Sequence, residues 1–206
     1  YQTAQNPQFV SNYSFPGQGT NLGYSKGCNY PVVQNNYLAG GITLVNCTDV
    51  TLTGNTINGT TYQSSFPQNT YYTTTPTGNV IFVHPNQYES GRANITVYNW
   101  EKKNSVDVNV SNVLSSGDYY EVRDVQNYFG TPVTTGTYSG GTISIPMTST
   151  AISQIVGNIP QPSHSPIESG VFVLLKTTAP PVTDTTPPVL SGGSPSGTLP
   201  SGTTQA

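Results

Sequence analysis

Apolar residues in the first third of the chain come in short pulses, each closed by asparagine or glycine. The segment GGITLVNCTDVTLTGNTINGT, residues 40–60, contains three such pulses: Ile42 with Leu44, Val50 with Leu52, and Ile57. An amphipathic helix would space these residues by three and four, and one half-buried strand would alternate without interruption. Neither pattern fits, so the segment is expected to form very short strands that turn corners.

The pattern repeats after 19 residues, because GCNYPVVQNNYLAGG (27–41) aligns with NCTDVTLTGNTINGT (46–60). The alignment superposes cysteine, asparagine, glycine and three apolar or proline positions: Cys28 on Cys47, Pro31 on Val50, Val33 on Leu52, Asn36 on Asn55, Leu38 on Ile57 and Gly40 on Gly59. A period near 20 residues with two or three short strands in each repeat predicts the coils of a β-solenoid. Such coils stack about 4.8 Å apart.

The stacking of coils predicts contacts within two pairs of residues. Asn36 and Asn55 are expected at the same corner, where each amide can bond to the next coil; the alternative is that they only mark turns. Stacking brings the Cα atoms of Cys28 and Cys47 close enough for a disulfide, which would fit an extracellular compartment. Two stacked buried thiols are the alternative, and a zinc site is not expected because further ligands are missing nearby.

The repeat resembles that of right-handed parallel β-helix proteins, the pectate-lyase-like superfamily, over roughly residues 15–62. The resemblance implies that residues 1–78 are terminal coils of such a helix, but it implies no activity, because this fold serves lyases, hydrolases, tailspikes and adhesins alike. Lyase chemistry would need clustered acids or calcium and a proton acceptor. Since residues 1–78 offer only Asp49 and Lys26 as charged groups, an active site is expected only in coils further upstream.

The pattern changes near residue 79. In SVDVNVS, for example, Val106, Val108 and Val110 alternate with polar residues, as in a half-buried strand. Six such runs separated by turn signals predict an antiparallel β-sandwich over residues 79–178. This part also resembles, more loosely, the C-terminal β-sandwich of secreted glycoside-active enzymes. Residues 179–206 are rich in Pro, Thr and Gly and are expected to be a linker or the first strand of an immunoglobulin- or fibronectin-like module.

Composition narrows the class of protein. Only 7% of the residues are charged, so the surface is unusual. Residues that favour strands and turns, including 14 Tyr and 21 Gly, are abundant, so the fold class is expected to be all-β. A net charge of −3 does not suggest a basic surface for binding nucleic acid. No apolar run in the sequence is long enough to span a membrane. The Thr- and Asn-rich surface favours an extracellular or cell-surface location. No cofactor and no metal are expected.

Candidate binding residues lie in the second half. On the predicted strand DYYEVRD, Tyr119, Glu121 and Arg123 share one face and can bind a glycan, the tyrosine by stacking and the charged groups by hydrogen bonds. The alternative is a cross-strand ion pair beside a packed aromatic ring. For Tyr128 and Phe129 there are also two alternatives: a platform on which a sugar stacks, or a place at the edge of the core.

Other polar residues carry weaker expectations. Asp118 and Asp124 are weak candidates for calcium, because no loop pattern accompanies them. His84 and His164 are far apart in sequence and lack a nucleophile beside them. Asn58, at a predicted coil corner, is the preferred acceptor for N-glycosylation among five sequons.

These features predict a non-catalytic fragment of a secreted, carbohydrate-associated β-helix protein. In this hypothesis the sandwich caps the solenoid, shields its last strand edges and binds polysaccharide or a surface glycan. The parent protein is then a candidate polysaccharide lyase or glycoside hydrolase, with further domains in the same chain. The alternative is a structural extracellular subunit, such as a fibre, adhesin or envelope protein, that self-associates through the end of its β-helix.

Overall fold

The computed structural model describes residues 2–17, 19–157 and 159–179. Within these residues the chain is all-β, with strands β1 to β19 and one short 3-10 helix, Val125–Asn127. It combines the coils of a parallel β-helix with an antiparallel β-sandwich, so the expected fold class is confirmed. The expected linker or first strand of a further module spans residues 179–206, and residues 180–206 lie outside the described part.

The β-helix consists of three coils and a final strand. The first coil contains β1 (Ala4–Gln5), β2 (Gln8–Val10), β3 (Tyr13–Ser14) and β4 (Thr20–Leu22). The second contains β5 (Cys28–Asn29), β6 (Val32–Gln34), β7 (Tyr37–Leu38) and β8 (Ile42–Leu44). The third contains β9 (Cys47–Thr48), β10 (Thr51–Thr53) and β11 (Thr56–Asn58), and β12 (Thr70–Tyr72) follows. These strands stack in parallel as the sheets β1-β5-β9, β2-β6-β10, β3-β7-β11-β12 and β4-β8.

The register of the second and third coils is the 19-residue repeat. Cys28 pairs with Cys47, Val33 with Leu52 and Leu38 with Ile57. The first coil is longer, since its Asn12 contacts Asn36 across 24 residues. Residues 1–78 were expected to form coils, but an alignment at a constant offset of 19 residues cannot give the register of this one.

Four asparagines form a hydrogen-bonded ladder along one corner: Asn12, Asn36, Asn55 and Asn69. The side-chain oxygen of Asn36 accepts from the backbone N–H of Asn12 at 2.7 Å. That of Asn55 accepts from Asn36 in the same way at 3.0 Å, and that of Asn69 from Asn55 at 2.9 Å. The side-chain amides also bond to one another, at 3.1 Å from Asn12 to Asn36 and 2.8 Å in the two following steps. Asn36 and Asn55 are almost fully buried, so the ladder satisfies polar groups that water cannot reach.

The loop between β11 and β12 covers the end of the last coil. Tyr62 and Phe66 pack against the apolar interior formed by Val33, Leu38, Leu52 and Ile57. The carbonyl oxygen of Leu52 accepts from the side-chain amides of Gln68 and Asn69, at 2.7 and 2.8 Å. A backbone group at an open sheet edge is therefore paired by the loop itself.

The sandwich follows with β13 (Val80–Pro85), β14 (Arg92–Tyr98), β15 (Ser105–Asn109), β16 (Tyr119–Asp124), β17 (Thr134–Thr137), β18 (Thr142–Pro146) and β19 (Ser169–Thr177). One sheet has the order β13-β14-β19-β16-β17, and the other pairs β15 with β18. Alternating apolar residues of both sheets meet in one core, with Ile95, Val108, Val122, Ile145 and Leu174 among its buried members. The sequence predicted six of these strands and missed β17, because Thr-Thr-Gly-Thr shows no apolar alternation.

Aromatic residues join the sandwich to the side of the β-helix. Tyr13 and Tyr37 are register partners in neighbouring coils, and they pack against Phe82 and Tyr98 of the five-stranded sheet. The Tyr98 hydroxyl also donates to the carbonyl of Ser14 at 3.0 Å. These contacts lie on β3 and β7, at the side of the stack, because the outward-facing aromatic rings of stacked strands form a surface there. The loop after β11 covers the end of the last coil. That the sandwich caps the solenoid stays a prediction.

Candidate functional site

The candidate glycan-binding residues of β16 lie on the outer face of the five-stranded sheet. Tyr119, Glu121 and Arg123 are partly exposed and alternate with residues that point into the sandwich. β16 lies between β17 and β19, so its backbone is held by pairing on both edges. The strand therefore supplies a fixed base for the segment that follows it.

Arg123 uses its donors inside the protein. Its Nη2 and Nε donate to the same oxygen of Glu121 at 2.6 and 3.0 Å. Its Nη1 donates to the backbone carbonyls of Tyr128 and Gly130 at 3.0 and 2.9 Å. The ion pair lies within one strand rather than across two strands. Arg123 therefore positions the loop, and Glu121 holds its guanidinium in place.

The loop that Arg123 holds presents two aromatic rings. Tyr128 and Phe129 are arranged edge to face, with ring centroids 5.1 Å apart. Phe129 is 91% exposed, although the carbonyls on both sides of it are anchored. Because two carbonyls of this loop are bonded to one guanidinium, Phe129 is displayed on a preorganised support. Neither ring belongs to the buried core.

His164 and Asp124 form a buried pair that sequence reasoning missed. The Nε2 of His164 lies 2.7 Å from the Asp124 carboxylate, and its Nδ1 lies 2.8 Å from the carbonyl of Ser165. Each ring nitrogen therefore lies within hydrogen-bonding distance of an oxygen. With both nitrogens engaged, the ring is suited to fastening the 3-10 helix to the segment before β19, and not to accepting a proton from a substrate. No sequence signal identifies the pair, because 40 residues separate its members.

The two aspartates considered for calcium are separated and engaged. Asp118 precedes β16 and bonds to Lys176 at 2.7 Å and to the Ser115 N–H at 2.9 Å. The hydrogen bond from Lys176 is the main reason that the pKa of Asp118 lies below its usual value. Asp124 closes the opposite end of the strand. Over residues 2–17, 19–157 and 159–179, no three His, Cys, Asp or Glu side chains come together in a way that could hold a metal ion.

The remaining candidates lie in the β-helix. Cys28 and Cys47 form a disulfide with Cα atoms 4.4 Å apart. Asn58, expected at a corner, is the exposed last residue of β11, and its side-chain amide donates to the carbonyl of Ala39 at 3.1 Å. His84 is a strand residue of β13, with its ring 5.2 Å from that of Tyr13.

Comparisons with known proteins give no match: no family model fits the chain, and no curated protein or solved structure is similar to it. Among the residues that the structure describes, no helix has the length and apolar character needed to cross a membrane.

Proposed function

We propose that this chain is a non-catalytic, extracellular β-protein that binds glycan through the loop containing Tyr128 and Phe129. The single observation that carries the proposal is the 91% exposure of Phe129 on a loop anchored by Arg123. Aromatic rings bind the C–H face of a sugar because they offer a large apolar surface at a small conformational cost. The tyrosine beside it adds a hydroxyl that can hydrogen-bond to the edge of the same sugar.

The charged residues support binding rather than hydrolysis. Five acidic side chains form ion pairs with lysine or arginine, and Asp124 is hydrogen-bonded to His164; the five are Glu89, Glu101, Asp118, Glu121 and Glu168. Glycoside hydrolysis generally uses two carboxylates that face each other across the scissile bond. Carboxylates that neutralise a neighbouring cation are poorly suited to that role.

The disulfide supports the extracellular location in this proposal, because such bonds persist in oxidising compartments. The parallel coils support the resemblance to the pectate-lyase-like superfamily, which is part of the same proposal. Fold alone does not define an activity. The glycan therefore has to be identified by experiment.

The substitution Phe129→Ala tests whether the loop with Tyr128 and Phe129 is the platform on which the glycan stacks. We expect it to weaken binding to the responsive polysaccharide about tenfold, or ~1.4 kcal/mol, without lowering the melting temperature, since the ring is exposed. Affinity electrophoresis against xylan, β-glucan, polygalacturonate and chitin oligosaccharides would measure it. Tyr88→Ala is the matched control, because Tyr88 is 95% exposed in the hairpin between β13 and β14. Equal binding by the wild type and Phe129→Ala would contradict the proposal.

A second candidate is a structural extracellular subunit. The observation that favours it is the asparagine ladder, which together with the disulfide ties successive coils into a stiff unit. This candidate would gain support if the wild type binds none of the glycans above.

A further inference from the structure

A cleft opens where the β-helix meets the sandwich, away from the Phe129 loop. Its volume is about 570 Å³, within the range of small-molecule sites. The β-helix contributes Phe15 and Pro16, and the sandwich contributes Trp100, Lys102 and Glu168. Clefts between two packed units are a common place for ligand sites.

The aromatic wall of this junction cleft is preorganised. Trp100 stacks on the fully buried Tyr98, with centroids 5.7 Å apart and planes 23° apart. Its indole N–H donates to the Tyr37 hydroxyl at 3.2 Å. Phe15 also packs against Tyr98, at 5.5 Å. The indole is thus held by contacts with its ring and with its N–H, and it lines the cleft.

The opposite rim is polar and electrically balanced. Lys102 Nζ lies 2.7 Å from one oxygen of Glu168, and both side chains are partly exposed. The hydrogen bond from Lys102 is the main cause that holds the pKa of Glu168 below its usual value, so the carboxylate is ionised at neutral pH. Its second oxygen can accept from a hydroxyl, and the ammonium can donate to one.

We propose that the junction cleft binds a neutral pyranose unit. A pyranose has an apolar C–H face that fits the wall of Trp100 and Phe15, and a hydroxyl edge that fits the pair Lys102–Glu168. A neutral sugar is favoured over a uronate because Lys102 is already paired with Glu168, so a ligand carboxylate would have to compete with Glu168 for the ammonium. The ligand class is that of the proposed function, but the site consists of different residues.

Trp100 is the single tryptophan of the chain, so its fluorescence reports on the cleft directly. Titration of the full chain with glucose, galactose, mannose and xylose is expected to give a saturable change in emission with at least one sugar. Glu168→Gln keeps the shape of the rim and removes the charge. It is expected to raise the dissociation constant about tenfold, because hydrogen bonds to a charged acceptor are the stronger ones. Since exposed ion pairs contribute little stability, the variant should fold.

Glu89→Gln is the matched control, because it removes an exposed ion pair with Arg92 elsewhere on the sandwich and should leave the titration unchanged. The proposal is overturned if no sugar changes the emission up to about 100 mM, far above the millimolar constants of weak sites. It is also overturned if Glu168→Gln binds like the wild type. Phe129→Ala should leave this titration unaltered, so failure of the cleft and failure of the platform are distinguishable.

Discussion

Left-handed backbone conformations at the corners set the path of each β-helix coil. Asn35, Asn46 and Asp49 have φ values of 55°, 50° and 53°. Asparagine and aspartate tolerate this region better than most residues. Gly27 also has a positive φ, of 69°, and a Cβ there would collide with the carbonyl of Asn46. Only glycine allows two neighbouring coils to approach each other at this point.

The buried tyrosines at the junction predict a loss of stability in alkali. Burial is the main cause that raises the pKa of Tyr98 and Tyr72, and neighbouring tyrosines raise it further. Below about pH 10 these hydroxyls are neutral in both the folded and the unfolded chain, so their contribution is complete. Above that pH the unfolded tyrosines lose protons that the folded ones retain. The free energy of unfolding should therefore fall as pH rises.

Urea unfolding at about pH 9 and about pH 11, together with phenolate absorbance, would measure this effect. Tyr98→Phe removes one of the tyrosines whose pKa is raised, so it should reduce the pH-dependent part of the stability. Titration of all 14 tyrosines together near pH 10 in a folded protein would contradict the prediction.

At the scale of elements, the asparagine ladder stabilises the stack of coils. Asn55 is its most connected member: its oxygen accepts from the amide of Asn36, and its own amide donates to the Val33 carbonyl and to Asn69. Removing a buried partner leaves each of these groups unsatisfied, at about 1–3 kcal/mol each. The ladder therefore explains why asparagine recurs at this corner.

Asn55→Ala is accordingly expected to lower the free energy of unfolding by about 3 kcal/mol or more. Chemical denaturation would measure it. Asn21→Ala, at an exposed position of β4, should change stability by less than about 0.5 kcal/mol. If the two variants were equally stable, the ladder would have no energetic importance.

At the scale of the whole molecule, the aromatic junction holds the two parts together. Tyr37 is 7% exposed and contacts Phe82, Tyr98 and the indole N–H of Trp100. It therefore links the apolar contact to the wall of the cleft. Its removal should loosen the connection between β12 and β13, residues 73–79.

Tyr37→Ala is expected to speed cleavage of residues 73–79 by a broad-specificity protease, because truncating a buried aromatic side chain costs about 3–5 kcal/mol. Limited proteolysis with mass spectrometry would locate the cut. Tyr30→Ala, at a corner where the side chain is 55% exposed, should leave the rate unchanged. An unchanged rate in Tyr37→Ala would show that the junction does not restrain this segment.

Local pattern was enough to predict several features. The all-β class follows from composition and period, and the 19-residue repeat placed Val33 under Leu52 and Leu38 under Ile57, because stacked coils superpose equivalent positions. Alternation located six sandwich strands, since a half-buried strand repeats every two residues. The outward row of β16 follows from the same rule.

Other features needed long-range contacts. The 24-residue first coil breaks the constant offset, and β17 has no apolar contrast. The pair His164–Asp124 depends on two segments meeting. That Arg123 anchors the loop of Phe129 depends on the path of the chain after β16.

The sequence by itself determined the class of fold, the register of the repeating coils and the faces of the regular strands, because these depend on neighbours at a fixed spacing. Only the tertiary structure decided that the sandwich lies beside the β-helix, that a loop covers the last coil and that a cleft with Trp100 opens between them. These features depend on which aromatic surfaces fit each other, and the spacing of apolar residues along the sequence does not determine that fit.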